Sequence, residues 1–162
     1  MKLYFFDLRS LTFPNLPFQK PIEIWALPDE VHYQVRSDYK GFGLKLHLLD
    51  AAGNEIGFIR QKLIAITAAF ELTLHGSPQP YRFTVAKRNQ YKLRETGLHT
   101  TGSISDQFYD ILDGERTAAK VQKVFLSKGA CCETEIADGV DPALIMAFVI
   151  MIEAAMSILN DD

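Results

Sequence analysis

The C-terminal stretch DPALIMAFVIMIEAAMSILN is apolar almost all the way round, and it constrains the fold more than any other feature of the chain. Asp141 followed by Pro142 is typical of a helix start. The carboxylate accepts hydrogen bonds from free backbone amides, and proline lacks one of these amides anyway. The pattern predicts a helix over residues 142–159. A helix that is hydrophobic on every face either crosses a membrane or lies in a protein core.

Three features of this helix argue against a membrane span. The apolar run from Ala143 to Leu159 is shorter than the roughly 20 residues that are needed to cross a bilayer. Glu153 lies inside the run, and an unpaired acid near the middle of a bilayer costs about 2.5 kcal/mol or more. The flanking residues are acidic, whereas membrane spans are usually flanked by lysine and arginine. We therefore expect no transmembrane segment.

The sequence before the helix is typical of a sheet. Up to about residue 137, apolar residues recur at every second position in short runs such as 31–35, 42–48 and 70–74, which predicts half-buried strands. The sequence DAAGN between two such runs predicts a tight hairpin turn. About twelve strands can be counted in this way, with the spacing found in all-β sandwiches and barrels.

An all-β domain can surround a single helix only if its sheet closes around that helix. A barrel of about eight strands is filled by its own side chains, whereas one of about eleven strands can hold a central helix. We therefore predict one domain over residues 1–162. Its fold is mainly β, a closed antiparallel barrel of about twelve strands with the hydrophobic helix at about 142–159 buried inside. Glu153 must then lie near a mouth of the barrel or find a buried partner.

Composition and charge limit the partners and the compartment. The 162 residues are 48% hydrophobic, and 17 Lys and Arg stand against 20 Asp and Glu, so no nucleic-acid binding is expected. Cys131 and Cys132 are adjacent and cannot clamp distant segments, which favours a reducing, cytoplasmic setting. On a strand they face opposite ways, so we expect one in the core and one at the surface. The opening MKLYFFDLRS has an apolar run too short for a signal peptide.

Two segments of the chain, residues 46–63 and 108–124, are similar to each other. Aligning them matches Asp50 with Asp113 and Gly53 with Gly114. The similarity has two explanations, an internal duplication or two hairpins with the same turn chemistry, and both stay open.

Several motifs, taken in order, resemble the LURP-one-related family of the tubby superfamily. They are the hairpins LHLLDAAGNEIGFIRQKL and FYDILDGERTAAKVQKVF, the extended CETEI, the acidic turn ADGVDP and the helix ALIMAFVIMIEAAM. The resemblance covers nearly the whole chain and implies a closed, tubby-like, twelve-stranded barrel around a C-terminal helix. Relatives often carry Asp where Glu153 stands.

This resemblance implies less about function than about structure. Tubby-like domains bind phosphoinositide headgroups, phospholipid scramblases share the fold, and many microbial members have no assigned activity. No headgroup-binding motif is matched in this sequence, so no lipid site is carried over residue by residue.

The sequence shows little sign of catalytic chemistry. TGSIS does not have the spacing of a serine nucleophile elbow, and the glycines at 41–43 precede a strand and not a helix. The cysteines have no adjacent histidine to activate them. The histidines are scattered and do not have metal-ligand spacing; they are His32, His47, His75 and His99. We expect a protein that is not an enzyme and has no catalytic residue, metal or cofactor.

The densest positive charge lies in KRNQYKLR, where basic residues flank Tyr91. These residues are Lys87, Arg88, Lys92 and Arg94. Each basic residue near an anionic membrane contributes roughly 1 kcal/mol of attraction, although such a cluster is more commonly a solvated hairpin end. A second, weaker group consists of Lys120, Lys123 and Lys128.

These observations favour a non-enzymatic module that binds anionic phospholipid or another phosphorylated ligand through its outer surface. Lys87, Arg88, Lys92 and Arg94 are the predicted ligand-binding residues, and the protein is expected to be cytoplasmic or peripheral to a membrane. The alternative is a protein-interaction or structural barrel that acts through its proline-rich N-terminal segment, LTFPNLPFQKP. An enzyme ranks third. A lipocalin-like carrier fits least, because the helix would fill its cavity.

Overall fold

The computed structural model describes residues 1–11, 20–26, 30–38, 43–62, 69–87 and 89–159. Within these residues lie a single-turn 3₁₀ helix at Leu8–Leu11 and the α-helix α1 at Pro142–Leu159. The strands are β1 (Lys2–Asp7), β2 (Ile22–Ala26), β3 (Glu30–Asp38), β4 (Lys45–Asp50), β5 (Glu55–Lys62), β6 (Ala69–Leu74), β7 (Tyr81–Lys87), β8 (Gln90–Leu93), β9 (Leu98–Ser103), β10 (Phe108–Asp113), β11 (Arg116–Leu126) and β12 (Gly129–Ile136).

Each of these strands pairs antiparallel with its neighbours in sequence, and the sheet closes because β1 pairs with both β2 and β12. The pairing of Tyr4 with Ala26 on one side and with Thr134 on the other marks the closure. The predicted fold class, a closed antiparallel barrel of about twelve strands with a C-terminal helix, is confirmed.

Helix α1 begins at the cap that the sequence predicts. The backbone amide of Ala143 donates a hydrogen bond to Oδ1 of Asp141 at 3.1 Å. All residues from Ile145 to Ile152 are 0% exposed, and this span covers about two helical turns, so the helix is buried on every face. Strand side chains such as Phe6 and Phe83 share one core cluster with it. The helix is therefore enclosed by the barrel.

The antiparallel order gives the barrel two distinct ends. At one end β12 stops and α1 begins, together with the turns at 51–54, 94–97 and 114–115; we call it the entry end. At the other end α1 stops, and the chain turns at 104–107 and 127–128; we call it the exit end.

The two hairpins that are similar in sequence, β4–β5 and β10–β11, also share an irregularity. The register shifts between Leu48 and Leu49 in the first and between Ile111 and Leu112 in the second. These positions coincide when the sequences are aligned on the turn. A bulge inserts one extra residue and increases the local twist, so both hairpins bend the sheet at the same point. The bulges match under either explanation of the similarity.

The cap of α1 yields a stability prediction. Asp141→Ala removes the acceptor for the Ala143 amide and is expected to lower the free energy of unfolding by about 1 kcal/mol. Asp141→Asn keeps an acceptor oxygen and serves as the matched control. Urea unfolding followed by circular dichroism measures both variants. Equal stability of Asp141→Ala and the wild type would show that the cap does not contribute.

Candidate functional site

The predicted basic patch lies on the β7–β8 hairpin and the residues after it. Lys92 is exposed and is paired with Thr84 on β7 and His99 on β9. Arg94 follows β8 toward the entry end, whereas Lys87 is at the opposite end of the hairpin. Arg88 lies outside the described residues. The structure thus spreads the patch along the hairpin, from the exit end to the entry end.

An ion pair modifies the charge next to Arg94. The backbone amide of Arg94 donates to the carbonyl of Arg82 at 2.7 Å, and the Arg82 side chain donates from Nε to Oε1 of Glu95 at 2.7 Å. Although desolvation alone would raise it, the hydrogen bonds from Arg82 hold the pKa of Glu95 below its usual value. The positive charge of Arg82 is therefore balanced by the carboxylate of Glu95. Lys92, Arg94 and their neighbours line a shallow depression of about 410 Å³.

The second predicted basic group is also divided. Lys120 lies in an outer-face depression of about 490 Å³ over β9 to β12, together with the carboxylates of Asp110, Glu133 and Glu135. Gln122 donates to Glu133 in the same depression at 2.7 Å. Acidic neighbours therefore surround Lys120, while the other two lysines of the group lie beyond this depression, near the exit end.

A feature that the sequence analysis missed is the end of the β11–β12 hairpin. The ladder between β10 and β11 ends at Gln122, and the backbone amide of Lys123 still donates to the carbonyl of Gln107 at 2.9 Å. From Val124 onward the residues pair with β12 alone. We call residues 123–128 the exit hairpin. At its tip Phe125 is 77% exposed and Leu126 is 42% exposed. The hairpin therefore presents two apolar side chains to the solvent.

The exit hairpin packs against the outer face of the barrel. A small apolar cluster of Phe5, Trp25 and Cys131 lies on the outer face of the barrel, with Val124 packed against it. The ammonium group of Lys128 lies 4.3 Å from the centre of the Trp25 ring. These contacts hold both a strand residue and the turn of the hairpin against the barrel.

Both cysteines are buried, which corrects the expectation that one of them lies at the surface. They do face opposite sides of β12, as strand alternation requires: Cys132 belongs to the barrel core and Cys131 to the outer apolar cluster. Burial raises the pKa of both thiols. Both thiols are therefore protonated at neutral pH. Cys131 is buried although it is on the outer face of β12, because Trp25 and Phe5 cover it.

Charge and exposed apolar surface are divided between the two ends of the barrel. The exposed large apolar side chains near the exit end are Val85, Phe108, Phe125 and Leu126. Lysines near the same end are Lys20, Lys45, Lys62, Lys87, Lys123 and Lys128. Acidic residues near the entry end are Asp50, Glu55, Glu95, Asp113, Glu115, Asp138 and Asp141. Four acids also lie near the exit end, Asp7, Asp38, Glu71 and Asp106, and Glu71 pairs with Lys62 at 2.7 Å. Four basic residues lie near the entry end, Lys2, Arg82, Arg94 and Arg116. Among the described residues, basic side chains therefore outnumber acids at the exit end, which is also partly apolar, and acids outnumber basic side chains at the entry end.

Glu153 is the buried acid of the helix, and it lies toward the exit end. It is 3% exposed and accepts hydrogen bonds from the Tyr109 hydroxyl at 3.1 Å and from Nε2 of Gln107 at 3.2 Å. Burial raises the pKa of Glu153 to about 7, and these two hydrogen bonds limit the rise. The sequence led us to expect Glu153 either near a mouth of the barrel or beside a buried partner, and the buried Tyr109 is such a partner.

Other predicted features fall outside these sites. Within the described ranges, no three His, Cys, Asp or Glu side chains are grouped closely enough to hold a metal ion. In the same part of the chain, no helix has the length and hydropathy of a membrane span. Most of the proline-rich segment, residues 12–19, is outside the described residues, so the interaction that it was predicted to make stays a prediction.

Comparisons with known proteins agree with this architecture. The chain is 20% identical over 147 residues to the uncharacterised protein YxjI of Bacillus subtilis (strain 168), which is 90% of each chain. It is also similar to the X-ray structure of a protein from Arabidopsis thaliana, with a TM-score of 0.64 and 17% identity over 99% of this chain and 90% of that one. At that identity the likeness shows the fold alone. The family model described as LURP-one-related matches residues 24–153, and the chain therefore belongs to the LURP-one-related family.

Proposed function

We propose that the protein is a non-enzymatic module that docks on anionic phospholipid membranes with the exit end of its barrel. The observation that carries this proposal is the division of charge: lysines and exposed apolar side chains share one end, and acidic turns share the other. Each basic residue near an anionic surface contributes roughly 1 kcal/mol of attraction. The acidic entry end is repelled by the same surface, so one orientation is favoured.

The division of charge also explains how a chain with a formal net charge of -3 can bind an anionic surface. Electrostatic attraction decays over a Debye length of about 8 Å at physiological ionic strength, so only charges near the surface contribute fully. In the proposed orientation Lys87 and Lys123 lie close to the headgroups. Lys92 and Arg94 lie farther along the outer face and contribute less.

Co-sedimentation with vesicles tests the proposal. The wild type is expected to bind phosphatidylcholine vesicles only when they also contain phosphatidylserine, and less well as salt increases. Lys87→Gln combined with Lys123→Gln is expected to weaken binding about 30-fold, from roughly 1 kcal/mol per charge. Lys92→Gln combined with Arg94→Gln removes the same charge from the outer face and is expected to have a much smaller effect.

Different outcomes of this experiment test the docking orientation and the recognition of anionic lipid. An equal or larger loss in the Lys92 and Arg94 variant would place the docking surface on the β7–β8 outer face, as the sequence predicted. Equal binding to vesicles with and without phosphatidylserine would reject recognition of anionic lipid. Competition by soluble glycerophosphoserine at millimolar concentration would indicate a ligand pocket for free headgroups and not a membrane surface.

A further inference from the structure

We propose that the exit hairpin inserts Phe125 and Leu126 into the boundary between headgroups and hydrocarbon when the protein is on a membrane. This inference rests on the proposed function and adds an apolar contribution to it. Isolated exposed apolar residues are normal on protein surfaces. Here, however, two adjacent ones lie at the tip of a hairpin that extends past its neighbouring strand.

The geometry of the tip favours a membrane over a protein partner. Phe125 is paired with Ala130 and Leu126 with Gly129, so both residues belong to the regular ladder of the hairpin. Successive residues of a strand point to opposite faces. The two apolar side chains therefore lie on opposite faces of the hairpin. A flat protein surface would cover one of them, whereas a lipid layer that surrounds the tip covers both.

The lysines of the hairpin lie at the depth that such insertion requires. The ammonium group of Lys123 lies 5.7 Å from the centre of the Phe125 ring, and that of Lys128, in the turn, lies over the Trp25 ring. Lysine buries its apolar stem and keeps its charged group near water or phosphate. With the tip in the boundary layer, both ammonium groups reach the level of the lipid phosphates.

The turn of the hairpin is fixed to the barrel, so the inserted tip is held in place. The guanidinium of Arg9 donates to the carbonyl of Lys128 at 2.8 Å and to the carboxylate of Asp7 at 2.8 Å. Gly129 has a φ of 110°, a conformation that glycine adopts without strain, where the chain enters β12. The turn is thus anchored to the end of β1, and insertion requires no rearrangement of the barrel.

Vesicle binding of matched variants tests the insertion. Phe125→Ala is expected to weaken binding to phosphatidylserine-containing vesicles about tenfold, because a phenylalanine side chain loses its apolar burial. This loss is expected to persist at high salt, in contrast to the loss caused by lysine substitution. Phe108→Ala is the comparison variant, since Phe108 is 68% exposed at the exit end but is the first residue of β10 and not part of the hairpin. A smaller loss for Phe108→Ala than for Phe125→Ala separates insertion of the hairpin from a general contribution of exposed apolar side chains.

A second measurement reports the location of the tip directly. Leu126→Cys carries an environment-sensitive fluorophore, while the natural cysteines are buried and keep their thiols protonated. On phosphatidylserine-containing vesicles the label is expected to shift its emission to shorter wavelength and to be quenched by lipids brominated in the acyl chain.

Three results would overturn the inference. If the wild type binds anionic vesicles but Phe125→Ala binds equally well and the label is not quenched, insertion is wrong and the proposed function stands. If the wild type does not bind anionic vesicles, both fail. If Phe125→Ala instead changes the molecular mass of the protein in solution without lipid, the tip contacts a second copy of the chain.

Discussion

Phe148→Asp is expected to abolish folding of the barrel. Phe148 is 0% exposed in the middle of α1, and its ring packs edge-on against that of Phe83 with the centroids 5.9 Å apart. The substitution removes a buried aromatic side chain, which alone costs about 3–5 kcal/mol. It also leaves a carboxylate in the core without a partner, at a further cost of several kcal/mol. Together these reach the total stability of an ordinary domain, about 5–15 kcal/mol.

The measurement for this variant is far-ultraviolet circular dichroism combined with gel filtration and urea unfolding. Phe148→Leu is the matched control, because it keeps an apolar side chain and is expected to remain folded with a moderate loss of stability. A soluble Phe148→Asp protein that unfolds cooperatively would contradict the burial of the helix inside the barrel.

The second large effect concerns Glu153, whose raised pKa makes the stability of the barrel depend on pH. Its pKa in the folded protein is about 7, against an ordinary value of 4.5. Below pH 4.5 the group is neutral in both states, so it imposes no penalty. Between pH 4.5 and 7 the unfolded chain releases the proton while the folded chain retains it, and stability falls. Above pH 7 the full penalty of roughly 3 kcal/mol is present.

Glu153→Gln is therefore expected to be more stable than the wild type at pH 8, by up to roughly 3 kcal/mol, and about equally stable at pH 4. An amide can still accept from the Tyr109 hydroxyl and pair with Gln107. Urea unfolding across this pH range gives the difference between variant and wild type, which isolates Glu153 from the other titrating groups. Glu135→Gln, on the outer face of β12, is the matched control.

A Glu153→Gln variant that is less stable than the wild type at pH 8 would contradict this account. It would mean that the ionised carboxylate is stabilised in the fold by an interaction stronger than those with Tyr109 and Gln107.

The architecture could be predicted from the sequence because two independent features agree. The cap at Asp141 and Pro142 marks the start of the helix, and apolar residues on all its faces require an enclosing sheet. Strand alternation predicts enough strands to enclose it. Strand alternation does not predict the register at the bulges. Next to the shift between Leu48 and Leu49, Leu48 pairs with Gly57, and the ring of Phe58 lies 4.9 Å from that of His47.

The division of charge could not be predicted from local clusters. Sequence neighbours such as Lys87 and Arg94 are separated along the barrel axis, whereas lysines far apart in sequence, such as Lys20 and Lys123, come to the same end. Only the strand order and direction bring them together. The exit hairpin likewise follows from strand lengths that the structure gives: β11 is 11 residues long while β10 has 6, and the end of β11 extends past β10.

Hydrogen exchange of the protein bound to phosphatidylserine-containing vesicles tests the proposed docking most directly. Docking by the exit end predicts that binding slows amide exchange at residues 87, 89, 90 and 123–130. It predicts no change in exchange at the entry-end turns 94–97 and 113–116. Slower exchange at those entry-end turns, or no difference between the two ends, would contradict it.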